Sequence, residues 1–102
     1  MRRILRIDPY RFPVEDGDPG VDDNGEFDSE KGLITIRKGL ITDTYADTLL
    51  HETGHAISFV SGVAGTLLTN DQEEQYLRST TPYLLNALRN NRWLLRALGI
   101  EV

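Results

Sequence analysis

The segment LLHETGHAIS, residues 49–58, holds the only two histidines of a 102-residue chain, and they stand four positions apart with a glutamate directly after the first. On an α-helix, residues i and i+4 lie one above the other on the same face, so His51 and His55 can present two imidazoles to one ion. Glu52 sits about 100° further round the helix, where it can reach a water on that ion without ligating it. This is the arrangement that H-E-x-x-H encodes, and zinc is its usual metal.

Two imidazoles do not complete such a site. A catalytic zinc takes three protein ligands and keeps one position open. The chain has no cysteine and no further histidine, so the third ligand is expected to be a carboxylate. The extended pattern H-E-x-x-H-x-x-G-x-x-H fails as well, because its glycine and third histidine positions hold Ser58 and Ser61. The candidates are Glu73 and Glu74 in DQEEQY, 18 and 19 positions after His55, which leaves room for a loop and a return. Glu73 lies on the apolar stripe of its helix and Glu74 about 100° to one side. Asp71 is better placed as a helix cap. Zinc in such a site acidifies a bound water and polarises a carbonyl, and Glu52 would take the water's proton and pass it to a leaving amine. Tyr76, Arg78 and Tyr83 are the candidates for stabilising the oxyanion.

The elements that would position these residues can be read from pattern. Ile4–Ile7 is a short β run ended by Asp8-Pro9, and Tyr10–Val14 reads as a second strand that Pro13 confines to an edge. DGDPGVDDNGEFD is loop by composition, and Asn24-Gly25 suits a tight turn with φ > 0. Its acids do not follow the calcium-loop pattern and read as a solvated turn. Leu33–Arg37 is a strand, paired with the residues around Phe27 through a turn at SEKG. An exposed edge at Leu33–Arg37 would hold an extended peptide by main-chain hydrogen bonds.

Thr44–Val60 has helical spacing, with Thr42 or Asp43 as cap and Gly62 as stop. On its wheel the apolar residues centre near about 70° from Tyr45, and the histidines fall near about 240° and 280°, away from the apolar face. Gly54 could let a neighbouring element approach. A second helix follows with a capping box at Thr69–Gln72 or Asn70–Glu73 and an apolar stripe of Tyr76, Leu77, Tyr83, Leu84, Ala87 and Leu88. Pro82 should kink it or start a new helix capped by Thr81. A last short helix carries Trp93, Leu94, Leu95 and Leu98, closed by Gly99, and its apolar residues are expected to pack in the core. Strands first and helices after predict one α+β domain with a small antiparallel sheet.

Composition narrows the function. The net charge of −5 argues against a broad nucleic-acid surface. From Glu15 to Glu30 there are eight acids and no Lys or Arg. The ends are basic, with Arg2, Arg3 and Arg6 at one and Arg89, Arg92 and Arg96 at the other, and solvated surface charge is the simplest reading of them. The opening apolar run is too short for a signal peptide, and no stretch reaches the length of a membrane span. A cytoplasmic protein, monomeric or weakly dimeric, is expected.

The stretches GEFDSEKGLITI, TLLHETGHAIS and EEQYLRSTTPYLLNALRNN resemble the small zinc peptidase domains of phage and prophage origin, similar to the ImmA/IrrE-like branch of the gluzincin metallopeptidases. The resemblance covers roughly residues 25–98, and HETGH is its most specific part. It implies a minimal zincin-like domain with a hairpin-containing sheet, an active-site helix and a glutamate helix. It also implies zinc held by His51, His55 and one glutamate of the pair, with Glu52 as general base, and matching the helix to such domains favours Glu74. The implied substrate is a peptide or protein such as a repressor or regulator. The alternative is a catalytically silent or latent zincin-fold interaction protein that binds a phage or host regulator.

Overall fold

Residues 3–101 are described by the structure, a computed structural model. Four strands come first: β1 (Arg3–Ile7), β2 (Tyr10–Gly17), β3 (Gly25–Asp28) and β4 (Leu33–Arg37). Three helices follow: α1 (Thr42–Ser61), α2 (Asn70–Asn90) and α3 (Arg92–Ala97). The order strands-then-helices thus gives the expected α+β architecture.

The sheet is mixed rather than antiparallel. Its order is β1-β2-β4-β3, with β1–β2 and β3–β4 antiparallel and β2–β4 parallel. The cause is burial. Ile34 and Ile36 of β4 are fully buried, and the strand that carries them takes an interior place between β2 and β3. Loop 18–24 carries the chain past that place, so β3 becomes the outer strand and β4 returns parallel to β2. Two expectations fail together for this reason. The free edge beside the helices is β3 and not Leu33–Arg37, and β2 is interior despite Pro13. That proline is tolerated because the β4 ladder begins only at Val14. The SEKG turn joins β3 to β4 as expected, with Gly32 at φ 62°. Asn24-Gly25 is no left-handed turn: neither residue has positive φ, and Gly25 opens β3.

Phe12, Val14, Ile34 and Ile36 meet Ala56 of α1 in the core, with Phe27, Tyr45, Leu49 and Val60 packed around them. Phe27 stands edge-on to Phe12, ring centroids 5.4 Å apart, and tilts against Phe59 of α1 at 5.7 Å. The sheet thereby fixes where α1 lies. The stop at Gly62 is observed, in a left-handed conformation whose N–H bonds back to the Phe59 carbonyl. The start differs, since Ile41 is the N-cap and neither Thr42 nor Asp43 caps through a side chain.

Thr69 and Gln72 cap α2 reciprocally, so Asp71 is in the first turn and is not the cap. α2 runs unbroken through Pro82, without a new helix capped by Thr81. The C-terminal segment does not join the core: Trp93 is 67% exposed and Leu98 60%. Of the basic termini, Arg3 pairs with Asp16, Arg6 with Asp8 and Arg89 with Asp43, while Arg2 lies outside the described residues. Among the described residues, no helix is long and apolar enough to cross a membrane.

Candidate metal centre

α1 carries two apolar faces rather than one. Tyr45, Leu49, Ala56 and Val60 face the sheet, whereas Leu50, Gly54 and Ile57 line a groove beside α2. The apolar centre of the helical wheel is the average of these two. Glu52 belongs to the sheet-facing stripe and is buried beneath β3, while His51 and His55 turn toward the start of α2.

Gly54 and Gly25 make these approaches possible. A Cβ at Gly54 would stand 2.6 Å from Leu77 Cδ2, so the glycine lets α2 lie close to α1. A Cβ at Gly25 would meet Thr48 Cγ2 at 2.7 Å and Glu52 Cγ at 3.0 Å. β3 therefore rests on the general-base candidate itself. The role of Gly54 was readable as a possibility. That of Gly25 was not, because it depends on which strand crosses the helix.

His51 Nε2 and His55 Nε2 are 3.2 Å apart. Glu74 Oε2 lies 2.7 Å from His55 Nε2 and 3.2 Å from His51 Nε2. Two ligands at zinc-like bond lengths around a tetrahedron are separated by about 3.3 Å, so these spacings suit one small ion. His51, His55 and Glu74 form a group that could hold a metal ion. Glu73 has different partners. His55 Nδ1–H donates to Glu73 Oε2 at 2.5 Å, and the Ser58 hydroxyl donates to Glu73 Oε1.

The Glu73 contact selects the tautomer of His55. A carboxylate only accepts, so the proton sits on Nδ1, and in the neutral ring Nε2 presents a lone pair. That lone pair meets a Glu74 oxygen and the second imidazole. Electron-pair donors converging on one point are stable only around a cation, either a shared proton or a metal ion. The ionisation of the protein alone follows the same logic. Burial would push His55 down, but its hydrogen bonds to Glu73 and Glu74 outweigh this and raise it. Burial would push Glu74 up, yet the charge on His51 and the hydrogen bonds from both imidazoles lower it.

Glu52 is 5% exposed and, among the described residues, has no hydrogen-bonding or ion-pair partner. Burial, aided by the charges of Glu74, Asp23 and Glu26 and opposed by His55, pushes its carboxyl up from 4.5 to about 7. It lines a polar cleft of about 570 Å³ together with His51, His55 and Glu74. Of the three oxyanion candidates only Arg78 lines this cleft, with its guanidinium 3.2 Å from Glu74 Oε1. Tyr76 lines the apolar groove instead, and Tyr83 is 78% exposed. Sequence reasoning missed Ser58, the buried hydroxyl that holds Glu73. Its only signal was a polar residue three positions after His55.

Comparison with protein-family models, with curated proteins and with solved structures finds no match.

Proposed function

We propose that the chain is a zinc-dependent endopeptidase of the HExxH type, similar to the ImmA/IrrE-like gluzincins, acting on a protein substrate such as a regulator. In this reading His51, His55 and Glu74 hold the ion and Glu52 is the general base. The supporting observation is the convergence of two imidazoles and a carboxylate on one point, beside a buried and unpartnered glutamate. Two nitrogens and one carboxylate form a donor set that suits zinc with a position left open. Zinc bound there would supply Lewis acidity toward a carbonyl oxygen and toward water.

The chain's own residues supply the rest. Glu73 holds the His55 ring through Nδ1, which fixes its orientation and makes Nε2 the better donor. Glu52, buried beside the centre and open to the cleft, would accept the proton of an attacking water and return it to the leaving amine. Arg78, at the rim of the cleft, offers a donor to the charge that develops on the carbonyl oxygen. The outer edge of β3, Gly25–Asp28, offers unpaired backbone groups to an extended peptide along the same cleft.

The decisive experiment combines metal analysis with peptide cleavage for the parent and for Glu52→Gln. The variant should keep its zinc and lose about 10²–10⁴-fold in rate. Cleavage by Glu52→Gln at the parent's rate would overturn the assignment of the base. Stoichiometric zinc without cleavage of any peptide by the parent would favour a silent zincin-fold binding protein.

A further inference from the structure

The walls of the cleft carry a charge pattern that neither the metal centre nor the general base uses. Asp23 on loop 18–24 and Glu26 on β3 stand on one side, and Asp71 in the first turn of α2 on the other; Asp22 and Asp47 line an adjoining pocket that shares Asp23, Glu52 and Glu74 with the cleft. None of the five has an ion-pair partner among the described residues. Some acids elsewhere are paired, as in Arg3–Asp16 at 2.9 Å and Arg89–Asp43 at 3.0 Å.

Arg37 is the cation best placed to neutralise the loop, and the carboxylate it pairs with there is Asp18, at 3.8 Å. Its Nε donates to the Asp23 carbonyl at 2.9 Å, and its Nη2 donates to the same carbonyl at 2.6 Å and to that of Gly20. Its backbone N–H donates to the Asn24 carbonyl at 2.7 Å. The guanidinium thus clamps the loop backbone in place and leaves the Asp22 and Asp23 carboxylates unpaired. Apart from the two histidines, the cleft's one cation among the described residues is Arg78, already held by Glu74. Glu52, buried and without a partner, opens into the same space.

A dipositive ion would be balanced by Glu74 and Glu52. Asp23, Glu26 and Asp71 would then face one guanidinium across the cleft. A cleft lined by one sign of charge between low-dielectric walls focuses its field, concentrating ligands of opposite charge and repelling those of like charge. We propose that this cleft selects peptide segments rich in lysine and arginine, whose side chains pair with Asp23 and Glu26 on one side and Asp71 on the other. For turnover the proposal rests on the peptidase reading; for binding it does not.

Binding and cleavage are therefore measured separately. The zinc-loaded Glu52→Gln chain is titrated, by fluorescence anisotropy, with three labelled peptides of one length that differ only in carrying Lys, Gln or Glu at the variable positions. The Lys peptide should bind about tenfold more tightly than the Gln peptide, with the Glu peptide weakest. The advantage should shrink as salt rises from about 0.05 to about 0.5 M. Adding Asp23→Asn and Glu26→Gln should cut it to about twofold, with zinc content equal to the parent's reporting an intact centre. Equal binding of the three peptides, no binding of any, or a Lys advantage that survives both salt and the double substitution would overturn the proposal. In parallel, the unsubstituted zinc-loaded chain is assayed for cleavage of the same peptides. Lys-selective binding without cleavage sinks the peptidase reading and leaves the selectivity standing. Cleavage with no charge preference does the reverse.

Discussion

The α1–α2 pair has two sides that share almost nothing chemically. One side is the polar cleft, with both imidazoles, four glutamates and the unpaired Asp23 and Asp71 on its walls. The other is an apolar groove of about 490 Å³ lined by Leu50, Ile57, Leu77 and Leu84. Glu73 lies between them and lines both. The helix contact itself is made where Gly54 meets Leu77, so a small residue in α1 sets how closely the acids of α2 approach the histidines. The difference teaches that the cleft depends on exact donor spacing, whereas the groove depends only on apolar area. Substitutions on the two sides should therefore differ greatly in effect.

The largest effect should come from the converging donors. His55→Ala or Glu74→Ala should weaken zinc binding by more than about 100-fold, and Glu73→Ala, which frees the ring but leaves the three donors, by about 10–100-fold. Competition against a chromogenic chelator ranks them, and a Glu73 variant weaker than the Glu74 variant would exchange their roles.

Next comes Gly25→Ala. The added methyl is directed at Thr48 and Glu52, so it should cost about tenfold in cleavage rate through a displaced base. Zinc affinity should stay within about twofold of the parent's, because no ligand is touched. Equal losses of zinc and rate would mean that β3 supports the whole centre and not Glu52 in particular.

A smaller effect should appear in the pH dependence of stability. In the metal-free chain Glu52 is raised above 4.5 to about 7 and His55 is raised as well. The folded state therefore binds these protons more tightly than the unfolded state. Their stabilisation is present in acid and is lost as pH rises, for Glu52 between about 4.5 and about 7. Glu74 is lowered and contributes in the opposite direction, losing stabilisation as pH falls. Glu74's loss falls below about pH 4.5, outside the window set by Glu52 and His55, so Tm should fall by about 5 °C from pH 5 to pH 8. Glu52→Gln should make that fall shallower. Zinc, which requires deprotonated ligands, should reverse the slope. Scanning calorimetry of the chain with and without zinc checks all three.

The smallest effect belongs to the groove. Leu84→Ser, at a half-exposed position, should change zinc affinity by less than about twofold. A large loss would show that the two sides are coupled through α2.

Much of this was legible without coordinates because it is local. The i, i+4 spacing of His51 and His55, the Thr69–Gln72 capping box, the Gly62 stop and the SEKG turn each follow from geometry within one element. Absence of cysteine and of a third histidine also narrowed the remaining ligand to an acid. Tertiary structure decided what depends on distant parts of the chain. The place of β4 inside the sheet follows from burying Ile34 and Ile36, and it moved the free edge to β3 and brought Gly25 onto Glu52. The division of labour between Glu73 and Glu74 turned on how closely α2 packs at Gly54, since adjacent residues on a helix differ by about 100° and either could have faced the histidines. Local pattern names the residues able to do the chemistry. Which of their atoms converge is set by burial and packing between elements far apart in the chain.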